Sequence, residues 1–275
     1  MRGFYELCPG CVAVLEDRDD RVLCRVLCAE GSRCWEDAVD ELGSLLGLDH
    51  DYSEPYAIFS SDPILRCIPT SLPGYRLRLL SVWSALLVAV CQQNASFRQG
   101  WGMLYRLYTS VGRRLIVDLG EEKRVFIESP RPENLSIEAM KSAGMGYRAE
   151  TVSRVIEARL HEVECSDVDR LSEVKGVGSY TLNLVKLLAC RDYSALPLDR
   201  WLRRLAAEAY GCDPREAERE LEKRFGRWRG LAALMTTVAL DAEPLTKALE
   251  RLRRGDVCPG KVVPSPVTMW RFWRV

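Results

Sequence analysis

The stretch EVKGVGSYTLNLVKLLACRDYSALPLDRW, residues 173–201, decides the fold of this chain. It holds two glycines on either side of a valine, at 176–178, and a lone aspartate, Asp199, further along. The segment before the glycines, SDVDRLSEV, and the segment after them, from Ser179, both have helical character. The stretch therefore predicts two helices joined by a tight glycine turn, with an acidic residue at the start of a third helix.

The glycine turn is suited to hold an anion. Gly176 and Gly178 let the backbone turn sharply without a Cβ clash, and they bring amide N–H groups toward a negative charge at the start of the second helix. A duplex phosphate suits such a site, and contacts of this kind fix position without reading sequence. The residues of this helix-hairpin-helix that we expect to contact DNA are Gly176, Val177, Gly178 and Thr181.

Asp199 begins the next helical run, in LPLDRWLRRL, and two roles are open to it. An Asp before a helical run is commonly an N-cap, worth about 1 kcal/mol. The glycosidic bond of a nucleotide breaks through a cationic sugar, and a carboxylate fixed beside it stabilises charge that develops only in the transition state. Because one Asp can cap and catalyse together, the residues alone leave both roles open.

Composition and charge limit the class of protein. The 275 residues are 47% hydrophobic, which is ample for a packed core. The net charge is zero, so a nucleic-acid surface must be a local patch. The longest apolar run, 79–91, is too short for a membrane span, and no signal segment opens the chain. We therefore expect a cytoplasmic, nucleoid-associated monomer of prokaryotic type with no membrane partner.

Five of the eleven cysteines lie in the first 34 residues. Two close thiolate pairs suit zinc, and the same residues also suit a disulfide or simple packing as small hydrophobes. We favour packing, with Cys24 and Cys28 on one face of a strand, over a zinc site. Since the chain has only two histidines, a histidine-based metal centre is not expected. The five cysteines are Cys8, Cys11, Cys24, Cys28 and Cys34.

Hydrophobic periodicity divides the chain into a small sheet domain and a helical body. Residues 11–28 predict a hairpin around the polar turn DRDD, and almost every segment after residue 75 has helical period. The segment 146–163 predicts one long amphipathic helix, and 231–240 predicts the last helix. We therefore predict an α+β fold, with a small N-terminal antiparallel sheet domain and a mostly helical, two-lobed body. The predicted domains are 1–75, 76–195 and 196–275.

Several motifs resemble those of the helix-hairpin-helix (HhH-GPD) DNA glycosylase superfamily. VKGVG (174–178) and PLD (197–199) stand at the superfamily's spacing, although Lys175 replaces its usual proline. VWSALLVAVCQQNASFRQGWGMLYRL (82–107) and GMGYRAETV (144–152) are similar to segments of the alkylpurine and 8-oxoguanine branches. The resemblance implies a base-excision repair enzyme that flips a damaged base out of double-stranded DNA, with Asp199 as the catalytic carboxylate.

The resemblance also implies residues that fill the gap left by a flipped base. QQNAS (92–96) lies where the superfamily places its wedge, so Asn94 is the candidate plug, with Gln93 beside it. Tyr147 and Arg148 match positions that wedge beside and hydrogen-bond the orphaned cytosine in 8-oxoguanine enzymes. The alternatives are a local turn or cap for Asn94 and core packing for Tyr147.

Tyr180 bears on the reaction class. Bifunctional members of the superfamily carry a Lys at this position, which attacks the sugar and cleaves the strand through a Schiff base. Lys186 is six residues further on and points about 240° away on a helix, and Lys175 lies in the turn. We therefore predict a monofunctional glycosylase whose base pocket includes Tyr180 and Trp201. The alternative is that Tyr180 is a core aromatic.

An alkylated purine is the favoured substrate, because an electron-poor base stacks well on an electron-rich ring. The alternatives are 8-oxoguanine and a non-catalytic protein that binds DNA structures. Where the 8-oxoguanine branch has a second cytosine-reading Arg, this chain has Gln99, with Arg98 one residue away. No cofactor is expected beyond a monovalent cation at the hairpin. An iron–sulfur cluster needs four closely spaced C-terminal cysteines. This region has only Cys212 and Cys258, so no such cluster is expected.

Overall fold

A computed structural model describes residues 2–8, 10–18, 21–28, 38–120 and 122–269. Within these ranges the chain forms five β-strands and twelve α-helices. The strands are β1 (Arg2–Cys8), β2 (Cys11–Arg18), β3 (Arg21–Cys28), β4 (Arg114–Asp118) and β5 (Lys123–Ile127). The helices are α1 (Ala38–Leu46), α2 (Ser53–Ser60), α3 (Ile68–Ser71), α4 (Val82–Gln92), α5 (Phe97–Val111), α6 (Ile137–Ser142), α7 (Arg148–Glu157), α8 (Ser179–Cys190), α9 (Arg200–Tyr210), α10 (Ala217–Phe225), α11 (Arg229–Ala239) and α12 (Leu245–Arg254).

The N-terminal sheet is antiparallel, in the order β1-β2-β3. Alternate side chains of a strand point in opposite directions, and both faces of the central strand β2 are covered. Cys11 and Ala13 pack with Leu42 of α1, whereas Val12 and Val14 pack against the β4–β5 hairpin. The predicted hairpin at 11–28 is therefore present, with β1 as a third strand that the sequence analysis did not assign.

The helical body is built around two apolar clusters. Helices α4 to α8 form the first cluster, in which every residue of α4 from Trp83 to Cys91 is buried. Helices α2, α3 and α9 to α12 form the second. Leu187 of α8 belongs to the second cluster and Leu188 touches both, so α8 lies between them. The predicted α+β class, a small antiparallel sheet followed by a mostly helical body, is confirmed.

The two clusters do not follow the predicted boundary at residue 75. Tyr52, Phe59 and Leu77 lie in the second cluster with side chains of α9 to α12. The Pro-, Gly- and Ser-rich segment 60–78 contains turns around the short helix α3. The three-part division stays a proposal, and the packing favours one in which 52–77 joins the C-terminal lobe.

Two helix predictions are wrong. The segment 146–163 is not one helix, because α7 ends at Glu157 and Arg159 is left-handed, with a φ of +56°. The chain then turns so that Leu160 is buried, and this packing overrides the helical period. Helix α11 is not the last one, since α12 follows it. Among the described residues, no helix combines the length and the apolar character needed to cross a lipid bilayer.

Disulfide bonds correct the interpretation of the N-terminal cysteines. Cys28 does not pack as a small hydrophobe, because it is bonded to Cys11, and Cys24 has an exposed free thiol. Cys11 and Cys28 therefore cannot serve together as zinc thiolates. The side chain of Cys8 and all of Cys34 lie outside the described residues. The disulfides within the described ranges are Cys11–Cys28, Cys67–Cys258 and Cys165–Cys190.

Replacing both Cys165 and Cys190 by serine should destabilise the protein. Their bond joins the 3₁₀ run Cys165–Glu173, the first arm of the glycine hairpin, to the end of α8 across a sequence separation of 25. A cross-link over a loop of this size restricts the unfolded chain and stabilises the fold by about 3 kcal/mol. We expect the double variant to unfold at a lower guanidinium concentration than wild type in the absence of reductant.

Cys212→Ser is the matched control, because Cys212 has a free, partly exposed thiol. Its unfolding midpoint should equal that of wild type. Thiol counting in denaturant would show that the bond had formed in the wild-type sample. A double variant with an unchanged midpoint would then mean that the bond does not stabilise the fold.

Candidate active site

The glycine hairpin between the 3₁₀ run and α8 is a tight turn that requires glycine at its first position. Gly176 has a φ of +108°, and a Cβ atom there would lie 2.3 Å from Thr151 Oγ1. The amide of Val177 donates to the Val174 carbonyl at 3.0 Å and closes the turn. Both conformation and space therefore exclude a side chain at 176.

The start of α8 presents amide groups that no side chain caps. Gly178 is the N-cap, and the N–H groups of the first helical turn have no acceptor within the helix. Such a helix start attracts an anion. Gly176 and Gly178 are exposed, as their predicted DNA contacts require. Val177 and Thr181 are 6% and 1% exposed, so their side chains face the interior, and contact between these two residues and DNA stays a prediction.

Asp199 begins α9, and its carboxylate caps that helix. Oδ1 accepts a hydrogen bond from the Leu202 amide at 2.7 Å. The residue is open to solvent, yet the atoms around the carboxylate desolvate it and raise its pKa, while the amides of Leu202 and Trp201 act in the opposite direction. A raised pKa means that the carboxylate is lost at a higher pH than usual as the solution is acidified.

Tyr180 lies in the first turn of α8, partly buried against the first cluster. Burial raises the pKa of its phenol, and the negative charge of Asp199 raises it further, so the phenol is protonated at neutral pH. Asp199 starts a helix of the second cluster. The two side chains therefore lie close enough, where the clusters meet, for the charge of Asp199 to act on the phenol of Tyr180. This proximity is what a pocket role for Tyr180 requires, and Tyr180 also packs against the first cluster, so both predicted roles stay open.

Trp201, the other residue predicted for the pocket, packs into the second cluster. Its indole N–H donates to the Glu243 carbonyl at 2.9 Å. This contact anchors the first turn of α9 to the segment before α12. Contact between Trp201 and a base stays a prediction.

The two lysines nearest to Tyr180 in sequence have other surroundings. Lys186 Nζ lies 2.6 Å from Asp169 Oδ1 in an ion pair, and its side chain is 21% exposed. It is held against the 3₁₀ run, in keeping with an orientation away from Tyr180. Lys175 is exposed in the turn itself.

Asn94 occupies a left-handed turn between α4 and α5. Its φ of +44° is rare for residues other than glycine and is best tolerated by Asn. The side-chain Nδ2 donates to the Tyr147 hydroxyl at 3.2 Å. Asn94 is exposed and Tyr147 is 55% exposed, so a polar tip and a large ring stand together at the surface. Asn94 therefore forms a local turn, as the alternative prediction holds. It is also exposed, as insertion into a DNA duplex would require.

Arg148 is only 9% exposed and supports the Asn94 turn. Its guanidinium donates to the carbonyls of Gln93 and Asn94 and lies 4.7 Å from the centre of the Tyr147 ring. These bonds occupy the groups that were expected to read an orphaned base. Direct contact between Arg148 and a base stays a prediction.

Gln93 also has an interior role. Its side-chain Nε2 donates to the Gly176 carbonyl at 2.7 Å and to Thr181 Oγ1 at 2.6 Å. The residue expected beside the plug is therefore bonded to the hairpin, a partner that no signal in the local sequence indicated.

A cavity of about 880 Å³ lies beside Asn94 and Tyr147. Arg98 and Arg106 line it. They are eight residues apart, about two helical turns, so they lie on the same face of α5. Gln99 also borders the cavity, but its side chain forms a capping box with Ser96. Sequence reasoning missed Arg106, which the spacing from Arg98 would have indicated.

Within the described ranges, no group of three or more His, Cys, Asp or Glu is placed to hold a metal ion. The monovalent cation considered for the hairpin would bind carbonyl oxygens of the turn. One of these, Gly176 O, already accepts a hydrogen bond from Gln93. The cation stays a prediction.

Comparison with protein-family models finds no match, whereas solved structures match over most of the chain. A 3-methyladenine DNA glycosylase from Archaeoglobus fulgidus aligns with a TM-score of 0.67 and 20% identity, over 86% of this chain and 85% of its own. An 8-oxoguanine glycosylase/lyase from Clostridium acetobutylicum, bound to DNA with cytosine opposite 8-oxoguanine, aligns with a TM-score of 0.64 and 18% identity, over 82% and 80%. MBOgg1 in complex with a low-affinity DNA ligand aligns with a TM-score of 0.65 and 22% identity, over 88% and 83%.

At these identities the likeness shows the fold alone. The matched proteins include both branches that the motifs resemble, the 3-methyladenine and the 8-oxoguanine enzymes. The chain therefore has the fold of the helix-hairpin-helix DNA glycosylases.

Proposed function

We propose that the protein is a base-excision repair DNA glycosylase, which flips a damaged base out of duplex DNA and hydrolyses its N-glycosidic bond. The observation that carries the proposal is the placement of Asp199, the N-cap of α9, near enough to Tyr180, in the first turn of the hairpin's second helix, for its charge to act on the phenol. The exposed Asn94–Tyr147 pair supports it, because flipping leaves a gap that side chains must fill. The proposed partner is duplex DNA, bound by a monomer.

Asp199 would act as the sugar loses its base. When the bond between C1′ and the base nitrogen breaks, the electron pair leaves with the base and the sugar becomes an oxocarbenium-like cation. A carboxylate already fixed by a helix cap stabilises that charge without reorganising. Water then adds to C1′, a proton is lost from this water, and the departing base takes up a proton.

Tyr180 favours hydrolysis without strand cleavage. A Schiff base needs a free amine, and a protonated phenol cannot supply one. Lys186 is held in its ion pair with Asp169, and Lys175 lies in the turn proposed to bind phosphate. We therefore propose a monofunctional glycosylase without lyase activity.

An alkylated purine is the leading substrate in this proposal. Such a base is electron-poor, often cationic, and stacks favourably on a phenol ring such as that of Tyr180. The second candidate is 8-oxoguanine, which the exposed Tyr147 beside Asn94 favours. Against it, Gln99 is engaged in a helix cap, and Arg148 is bonded to backbone carbonyls.

The proposed location is the cytoplasm, in association with the nucleoid. Disulfides such as Cys67–Cys258 and Cys165–Cys190 are rare in the cytosol of mesophiles but common inside hyperthermophiles. A cytoplasmic location and these bonds are compatible in a hot habitat. The abundance of Arg over Lys fits a hot habitat and a GC-rich genome equally.

Asp199→Asn should abolish turnover and preserve DNA binding. Asn caps a helix as well as Asp does, so α9 should keep its start and the melting temperature should not change. Loss of the charge should lower single-turnover base release by about 10²–10³-fold. Duplex affinity, measured by fluorescence anisotropy, should stay near that of wild type. Undiminished release would remove Asp199 from the mechanism, and no release even from wild type would favour the non-catalytic DNA-binding alternative.

The pH profile of wild type provides a second measure of the same carboxylate. Because desolvation by the surrounding atoms raises the pKa of Asp199, the rate of base release should fall on the acid side at a pH above the ordinary pKa of an aspartate. An acid limb at or below the ordinary pKa of an aspartate would mean that the rate does not depend on ionisation of Asp199.

Wild type should cut a lesion-bearing strand only after alkali, with no adduct trapped by borohydride. The duplexes to test carry 3-methyladenine, 1-methyladenine, hypoxanthine, uracil, a G·T mismatch or 8-oxoguanine. Tyr180→Ala should lower excision about tenfold or more through lost stacking, whereas Tyr180→Phe keeps the ring and should stay near wild type. Borohydride trapping would instead reveal an amine at the sugar and contradict the assignment to Tyr180.

Gly176→Ala should weaken binding to all duplexes alike, because the turn that presents the amides cannot hold a Cβ against Thr151. Gly178→Ala is the control for folding, since a Cβ there meets nothing within 4 Å and its φ is −92°. We expect a lower melting temperature for the first variant only. An affinity loss confined to damaged DNA would contradict a phosphate-binding role for the turn.

A further inference from the structure

We propose that Gln93 is a positioning residue, which couples the grip of the hairpin on the DNA backbone to the insertion of Asn94 into the duplex. The inference rests on the proposed function. It adds a physical link between binding of the DNA backbone by the hairpin and insertion of Asn94 into the duplex. Gln93 is the residue directly before the plug, and its side chain points away from the plug to the hairpin.

The side-chain amide of Gln93 spans the glycine turn. One N–H donates to Gly176 O at 2.7 Å and the other to Thr181 Oγ1 at 2.6 Å. Gly176 is the positive-φ residue of the turn, and Thr181 lies in the first turn of α8 with 1% exposure. Both N–H donors of the Gln93 carboxamide therefore have an acceptor. The two acceptors lie on either side of the backbone amides that we propose bind phosphate.

The backbone of Gln93 is fixed from another direction. Arg148 donates to the Gln93 carbonyl and also to the carbonyl of Asn94. A left-handed non-glycine residue persists only where its surroundings determine the conformation, and here the bonds on both sides of Asn94 do so. The plug is therefore held by α7 through Arg148 and by the hairpin through Gln93.

The bonds between Gln93 and the hairpin predict which step of the reaction is impaired when they are lost. A shift of the hairpin on binding phosphate moves the acceptors of Gln93, and the plug is the next residue in the chain. Loss of the link should leave the hairpin able to bind and Asp199 able to act, but the plug would be poorly held. Excision from duplex DNA needs the plug, because the base must leave a stack, whereas a base in single-stranded DNA is already unpaired.

Gln93→Met tests the link, because Met has a similar length and no donor. With hypoxanthine as the base, we expect excision from duplex DNA to fall about tenfold or more, and excision from the single strand to stay within about twofold of wild type. Gln92→Met, at the last residue of α4, is the matched control and should change neither rate. A purely structural defect would lower both rates of Gln93→Met together, and that result would overturn the proposal.

Thr181→Val supplies a second, independent variant that removes one acceptor without changing shape. If both residues act through one bond, the double variant should be no slower on duplex DNA than Gln93→Met alone. If the fold-loss in the rate of the double variant equals the product of the two single-variant losses, the two side chains act separately. That result would overturn the coupling.

A binding readout separates failure of this inference from failure of the proposed function. We would place 2-aminopurine opposite a tetrahydrofuran abasic analogue and measure its fluorescence at saturating protein. If wild type excises none of the bases but raises the fluorescence, and Gln93→Met binds without raising it, the link stands and the glycosylase assignment fails. Equal fluorescence for the two proteins, or no binding by wild type, would overturn the link.

Discussion

The backbone conformation of Gly176 is the constraint on which the rest of the site depends. At a φ of +108°, packed against Thr151, the residue turns the chain so that α8 starts with uncapped amides. The same turn aims the Gly176 carbonyl at Gln93 and sets Tyr180 in the first turn of α8. The proposed anion site, the support of the proposed plug Asn94 and the position of Tyr180 thus all follow from one glycine.

Asp199 shows how a structural bond can prepare a chemical group. The cap bond from Leu202 keeps the carboxylate in place and lowers its pKa, while desolvation raises it by the larger amount. The net effect is a charge held in a poorly solvated place, where it interacts strongly with whatever cation arises nearby. Burial, and then that charge, raises the pKa of the Tyr180 phenol, so the proposed site combines one anion with one neutral ring.

Sequence reasoning succeeded where the signal was local. The hairpin glycines, the Asp199 cap and the β2–β3 hairpin depend on neighbours within a few residues, and the structure contains all three. It failed where the partner was distant. Gln93 bonds to a carbonyl 83 residues away and Arg148 to one 55 residues away, so neither appears in any local pattern.

The arrangement of the two apolar clusters has a consequence for the order of folding. The first cluster is nearly continuous in sequence, from α4 to α8, whereas the second needs both α2–α3 and α9–α12. Cys67 and Cys258, which tie the second cluster together, are 191 residues apart. Closing so long a loop is slow, and a growing chain folds its contiguous parts first. On the ribosome, we expect the lobe with the hairpin to form while α2 and α3 still lack their partners. Asp199 then approaches Tyr180 only when the second lobe closes, so the hairpin proposed to hold DNA is assembled before the carboxylate proposed to act on the sugar is in place.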